Sequence, residues 1–233
     1  MERLDKVISN QTGYSRKEVK ELLKNKKVKV NDNLITRPEY KVDVAKDKIE
    51  INNQVLEIQK FVYYLLNKPK GYVSATEDKL DPTVLELIPE EVRHRNLFPA
   101  GRLDKDTTGM MIITDDGEFA HDILSPKKHI EKEYLAEIDI PLTEEMKEGF
   151  QKGVFLNDGV CKASTLEIID SYHANVVLTE GRYHQIKRMF GVYKAKVLEL
   201  KRIRMGALAL PKDLEEGSFK ELTEEDLKLI KKS

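Results

Sequence analysis

The chain has 233 residues, 40% hydrophobic and 35% charged, enough for one sizeable core or two unequal domains and too apolar for a disordered chain. No apolar run is long enough to cross a bilayer, the start Met1-Glu2-Arg3-Leu4-Asp5-Lys6 lacks a secretion signal, and the lone Cys161 excludes an internal disulfide or a cysteine metal cluster, so a cytoplasmic protein is expected. The net charge of −1 does not exclude a polyanionic partner, because the charge is unevenly placed and binding depends on the local field.

Residues 1–30 carry nine Lys/Arg against four Asp/Glu. Within them Leu4, Val7 and Ile8 form an apolar helical stripe at i, i+3 and i+4. Ser15 and Glu18 have the spacing of a capping box, opening a helix with Val19, Leu22 and Leu23 on one face. Arg16, Lys17, Lys20, Lys24 and Lys27 are left to its other faces and the following loop. Val28-Lys29-Val30 alternates as a strand, Asn31-Asp32-Asn33 supplies a turn, and Lys48-Ile49-Glu50-Ile51 alternates again before the unit closes near residue 58.

This opening resembles the S4 RNA-binding domain. The matching residues are Arg3-Leu4-Asp5-Lys6, Ser15-Arg16, Lys27-Val28-Lys29-Val30-Asn31, Val42-Asp43-Val44 and Asp47-Lys48-Ile49. The resemblance implies a module gripping folded RNA through its second helix and basic loop, with Arg3, Lys6, Arg16, Lys17, Lys20 and Lys27 as phosphate contacts. Such a module supplies affinity and placement, not chemistry.

After a linker at 59–62, Phe61–Asn67 reads as a buried strand ended by the turn Lys68-Pro69-Lys70-Gly71. Helices are expected around Pro82–Ile88, Glu118–Leu124 and Thr143–Phe150, and Thr223 is the expected N-cap of a terminal helix over Glu224–Lys232. Short apolar strands alternate with them. There is no Gly-rich phosphate loop, Gly-x-Ser-x-Gly elbow or His-Glu-x-x-His, and His94, His121, His129, His173 and His184 show no metal-ligand spacing. A metal- or nucleotide-dependent enzyme has no support.

The informative stretch is a polar loop, Pro99 to Gly109, that delivers Asp104 beside the apolar run Met110-Met111-Ile112-Ile113. On spacing alone, Asp104 and Asp106 read as turn or cap residues. However, Gly101-Arg102-Leu103-Asp104 with Thr107-Thr108-Gly109 resembles the catalytic motif of pseudouridine synthases. Lys68-Pro69-Lys70-Gly71 agrees upstream. Glu131-Lys132-Glu133-Tyr134-Leu135, Glu180-Gly181-Arg182-Tyr183-His184-Gln185-Ile186-Lys187-Arg188-Met189, and Leu200-Lys201-Arg202 with Gly206 agree downstream and in order. Thr114-Asp115-Asp116-Gly117 and Ser125-Pro126 are similar to the small-subunit rRNA branch, the RsuA type.

The resemblance implies an isomerisation of uridine in ribosomal RNA, most like the 16S type, that breaks the N1–C1′ bond, turns the uracil and rejoins it through C5. No redox group, phosphate donor or metal is needed, so no cofactor is expected. Asp104 is implied as nucleophile at C1′ or base at C2′, and the sequence leaves both routes open. Lys187 is implied as its cation, with an ordinary phosphate-binding lysine as the alternative. Tyr134 is implied to stack on the uracil, and Leu200 to pack its other side, with core packing as the alternative for each. Arg102 is implied to occupy the space of the extruded base or to hold a flanking phosphate, with a salt bridge inside the loop as the alternative. Arg182 and Arg188 read as phosphate contacts.

The expected fold is α+β: an S4 domain over 1–58, the linker, then a catalytic domain over 63–233 on a mixed, mostly antiparallel sheet with flanking helices. A monomer acting on free rRNA or on a partly assembled small subunit is expected. The rival readings are a large-subunit rRNA synthase and a catalytically silent RNA-binding assembly factor.

Overall fold

The computed structural model of the chain describes residues 1–90, 92, 93 and 95–232. Glu91, Ser233 and the reading of His94 lie outside the described residues. The chain divides into two compact units, Met1–Val62 with Ile88–Leu97, and Tyr63–Leu87 with Phe98–Ser233.

In the first unit, α1 (Leu4–Thr12) and α2 (Arg16–Lys24) share a core with a four-stranded antiparallel sheet. That sheet runs Asn33–Leu34, β1 (Val28–Val30), β2 (Ile49–Ile51), Gln54–Val55. The capping box is present: Ser15 Oγ accepts from Glu18 N at 3.3 Å, and Glu18 Oε2 accepts from Ser15 N at 2.8 Å. Leu4, Ile8, Val19, Leu23 and Val28 are fully buried, each burial contributing roughly 1.5–3 kcal/mol. Asn31 and Asp32 both have positive φ, as a tight turn after β1 requires. The structure adds a pairing of Glu2–Arg3 with Lys41–Val42, and Gln54–Val55 on β2. In the segment 88–97, the Arg95 guanidinium donates to the Gln59 and Lys60 carbonyls at 3.0 and 2.8 Å.

The second unit is built on a nine-stranded mixed sheet. Its principal strands are β3 (Tyr63–Lys68), β4 (Thr108–Thr114), β5 (Lys132–Ile138), β6 (Thr165–Ile168), β7 (His173–Leu178), β8 (Val197–Met205) and β9 (Phe219–Glu221). Their order is β6-β7-β5-β8-β4-β3-β9, with Leu208–Ala209 on β8 and Phe98–Pro99 on β4. Every pairing is antiparallel except β8 with β4. The fold is therefore α+β with a mixed, mostly antiparallel sheet. Met110, Met111, Ile112 and Ile113 are fully buried, so both faces of β4 are covered.

Helix α3 (Gly117–Leu124) and the terminal α6 (Glu224–Ile230) pack with β3 and β4 around one core. The helices α4 (Glu144–Lys152) and α5 (Gln185–Val192) pack with β5 and β7 around a second. Thr143 and Thr223 cap α4 and α6. The helix expected over Pro82–Ile88 is instead one 3₁₀ turn, Val84–Leu87. Pro89 pushes Ile88 away from helical geometry, and too few residues stand between the two prolines to propagate an α-helix.

Candidate active site

The loop 101–108 is held from below by two buried side chains. The Lys68 ammonium, wholly inaccessible at the end of β3, donates to the carbonyls of Pro69, Asp104 and Thr107 at 3.1, 3.1 and 2.8 Å, and to that of Lys105 at 3.3 Å. Burial pushes its pKa down to about 8, opposed by Asp106 and Asp104. Ser74 Oγ donates to the Leu103 carbonyl at 2.8 Å and accepts from the Leu103 N–H at 2.9 Å. The backbone on either side of Asp104 thus leaves little freedom to the carboxylate.

Glycine is required where this loop enters the sheet. Gly109 pairs with Arg202 across the single parallel junction at φ +98°, and a Cβ there would stand 2.3 Å from the Arg202 carbonyl oxygen. At the other end, Gly101 has φ +100°, and its Cβ would meet Leu124 at 2.7 Å.

Asp104 opens onto a cleft of about 570 Å³. Arg102, Lys105, Lys132, Arg182, Lys187 and Arg202 line it against two carboxylates, Asp104 and Glu180, so its field suits an anionic ligand. The Lys187 ammonium, from α5, lies 3.0 Å from Asp104 Oδ2 and 2.5 Å from Asp106 Oδ1. Burial works against that ammonium, but Asp106 and Asp104 outweigh it and raise its pKa. Burial likewise opposes the Asp106 carboxylate, and Lys187 still holds its pKa below the usual value. The His184 Nε2 atom stands 3.4 Å from Asp104 Oδ1. His184 has φ +46° as the residue that opens α5, and its ring stacks on the exposed Tyr183 ring at 3.8 Å.

Tyr134 and Leu200 line the same cleft from the adjacent strands β5 and β8. Leu200 also belongs to the core, and Tyr134 packs against that core, so each is a packing residue that also lines the cleft. Arg102 is exposed on the cleft and forms no ion pair among the described residues, which disfavours the salt bridge within the loop. Arg182 donates to the Gly159 and Val160 carbonyls at 3.0 and 2.6 Å and lies 3.5 Å from Glu180. Arg188 is bound to Asp158 through both terminal nitrogens and does not line the cleft. These two arginines are thus committed to internal bonds.

In the first unit, Arg16, Lys17, Lys20 and Lys27 are exposed. Arg3 is tied to Asp5 at 3.0 and 2.8 Å, and Lys6 lies 3.5 Å from Glu2. The stretch Thr114-Asp115-Asp116-Gly117 builds a helix start: Asp116 Oδ1 accepts from Glu118 N and Phe119 N at 3.0 Å, and Oδ2 from the Tyr63 hydroxyl at 2.6 Å. Pro126, from the neighbouring Ser125-Pro126, reaches the cleft.

Lys68, Ser74 and His184 had no site role on sequence grounds, and Asp106 read only as a turn or cap residue. The helix carrying Lys187 had a usable signal in Ile186, Met189 and Phe190 at i, i+3 and i+4, all buried on one face. For Lys68 there was no signal of its role, because its partners in the loop are main-chain carbonyls 36 to 39 residues away.

The sequence model of the family described as RNA pseudouridylate synthase matches residues 62–191, and that of the S4 domain matches residues 2–49. An uncharacterized RNA pseudouridine synthase of Aquifex aeolicus is 41% identical over 99% of this chain and 96% of its own length. The ribosomal small subunit pseudouridine synthase A of Salmonella typhimurium is 39% identical over 97% of this chain and 98% of its own. A crystal structure of a pseudouridylate synthase superposes with a TM-score of 0.70 at 34% identity, covering 99% of this chain and all of that one.

Proposed function

Because the chain belongs to the RNA pseudouridylate synthase family and carries an S4 domain, we propose that it converts one uridine of small-subunit (16S) ribosomal RNA to pseudouridine, with Asp104 as the essential carboxylate and no cofactor. The observation that carries this reading is the placement of Asp104 on a basic cleft, between Lys187 at 3.0 Å and His184 at 3.4 Å, with Tyr134 and Leu200 lining the same space. A uridine must leave its stack to bring its sugar there, at a cost of a few kcal/mol. The exposed Arg102 at the cleft can fill the space left behind.

In this reading Asp104 attacks C1′ or removes the C2′ proton, Lys187 holds its charge, and Tyr134 and Leu200 enclose the base. The S4 domain, taken as 1–58 and joined by 59–62 to the catalytic domain at 63–233, contributes affinity through Arg3, Lys6, Arg16, Lys17, Lys20 and Lys27. Arg182 and Arg188 release internal partners to meet phosphates. The substrate specificity is supported by the Salmonella relative, named for the small subunit. The protein acts as a cytoplasmic monomer, and no described helix is long and apolar enough to cross a membrane.

The test is release of tritium from C5-labelled uridine in small-subunit rRNA, since conversion expels that label. Asp104→Asn is expected to abolish release while RNA affinity stays within about threefold, the pattern of a group used only in the transition state. Retained turnover in the purified variant would falsify the assignment. Sequencing of carbodiimide-treated rRNA, incubated with and without the protein, locates the modified uridine and separates a 16S from a large-subunit target.

A further inference from the structure

Two cations in the cleft have no use in the scheme above. Arg202 on β8 is 2% exposed and Lys132 on β5 is 6% exposed, and both line the cleft. The Arg202 Nε donates to the Met110 carbonyl at 2.7 Å, while its Nη2 is buried without a hydrogen-bond partner among the described residues. Among the described residues the Lys132 ammonium donates only to the Ile130 carbonyl, at 3.2 Å. Neither forms an ion pair among the described residues. Arg204, two residues along the same strand, shows what a satisfied arginine looks like here, with Glu133 at 2.5 Å and Glu131 at 3.0 Å.

Burial, and then the like charge of Arg202, push Lys132 down to about 8. A desolvated pair of like charges with a spare donor is costly unless something negative completes it. Tyr134 pairs directly with Arg202 across the β5–β8 ladder, and Lys132 lies two residues before Tyr134. Lys132 and Tyr134, two apart on β5, share a face, and a register shift in the ladder between Glu133 and Tyr134 puts Arg202 opposite Tyr134 while Arg204 stays opposite Glu133, so Lys132, Tyr134 and Arg202 line the cleft together.

We propose that Lys132 and Arg202 form a subsite for the negatively charged oxygen edge of the uracil once it has left the sugar, a role that rests on the pseudouridine synthase reading. When N1–C1′ breaks, the bonding electron pair leaves with the base, and the charge spreads from N1 over O2 and O4. Asp104 either bonds to C1′ or takes the C2′ proton, and the base is expelled as an anion in both cases. Attack of C5 on C1′ then re-forms the glycosidic link, either as the Asp104–C1′ bond breaks and frees the carboxylate or as Asp104 returns its proton to C2′; the C5 proton passes to solvent while N1 takes one up, so the atoms balance as an isomerisation. A phosphodiester is the other source of anionic oxygen in RNA. The depth of the pair favours the base, because the backbone of a nucleotide stays nearer the rim than the base it inserts.

The test compares wild type with Lys132→Met on small-subunit rRNA, measuring the single-turnover rate at saturating enzyme, the Kd, and its salt dependence. The expected result is a rate lower by about 10²-fold, the size seen when one preorganised donor to a developing anion is lost. The Kd should move by less than about twofold and the salt slope should be unchanged. Lys132→Arg should recover at least tenfold of the loss. With 2-thio- or 4-thiouridine ligated at the mapped target, the ratio of wild-type to variant rates should shrink for the oxygen that Lys132 contacts and not for the other.

A weaker Kd with a shallower salt slope and an unchanged bound-state rate would overturn the proposal in favour of a phosphate contact. A variant equal to wild type in both would overturn it in favour of a purely structural cation. If Lys132→Met does not fold, Lys132→Gln carries the same comparison. A wild type that releases no tritium from any rRNA overturns the underlying reading and this subsite with it, whereas an active wild type with an indifferent variant overturns the subsite alone.

Discussion

At the scale of single residues, the site works by placing charges where folding alone would not. Lys187 bridges two carboxylates, Asp104 and Asp106, and only the first lines the cleft. Lys187→Met is therefore expected to lower single-turnover conversion about 10²-fold with the Kd changed less than about threefold; a pure loss of affinity would make it a phosphate contact. Lys132 has the opposite character. Its folded pKa, about 8, lies below the ordinary lysine value of 10.5, so the unfolded chain holds more protons between those pH values and stability from this group rises as pH rises across them. Below about pH 8 the full burden is present, and it amounts to at most about 3 kcal/mol. Lys132→Met should therefore be more stable than wild type at pH 7, with the gap closing towards pH 10, as chemical denaturation at the two pH values would show. Asp104, Tyr134 and Lys187 could be grouped from the sequence because they sit in ordered motifs, and the structure brings all three to one cleft. Lys68, Ser74 and the unpaired nitrogen of Arg202 were not legible there, since what distinguishes them is a main-chain partner or the lack of a partner, and neither leaves a mark on spacing.

At the scale of elements, local chemistry was readable and tertiary constraint was not. The Ser15 box, the Thr143 and Thr223 caps and the buried run after Gly109 all stand where side-chain chemistry puts them. Ser15→Ala should cost about 1 kcal/mol in equilibrium unfolding, the usual worth of an N-cap. Over 82–88 two local signals compete, Pro82 as a helix start and Pro89 as a stop, and the stop comes too soon for an α-helix. The one parallel junction, β4 with β8, could not be foreseen because register between distant strands is set by the whole sheet. It fixes a prediction about glycine. Gly109→Ala should destabilise by roughly 3–5 kcal/mol, among the larger effects of a point change, because its Cβ has no room beside Arg202. Gly117→Ala, in open space at the start of α3, should be neutral or slightly stabilising. Thermal or denaturant midpoints of the two variants decide it, and equal effects would refute the steric account.

For the whole molecule, a formal charge of −1 coexists with a basic first helix pair and a basic cleft. Neutralising Arg16, Lys17 and Lys20 together should weaken rRNA binding and flatten the log Kd against log salt plot by up to about 0.9 for each phosphate left unneutralised. The conversion rate of bound RNA should hold, since those residues belong to the first unit and the residues lining the cleft to the second. A slower bound-state rate would instead tie that unit to the chemistry.

The seam between β4 and β8 also has a consequence for biosynthesis. Its two sides are about a hundred positions apart in the chain, and β8 must arrive before Leu200 and Arg202 exist as cleft walls. A ribosome making this protein will have released most of the polypeptide before the seam can form. No shorter nascent fragment should modify RNA, and catalytic competence should switch on late and all at once.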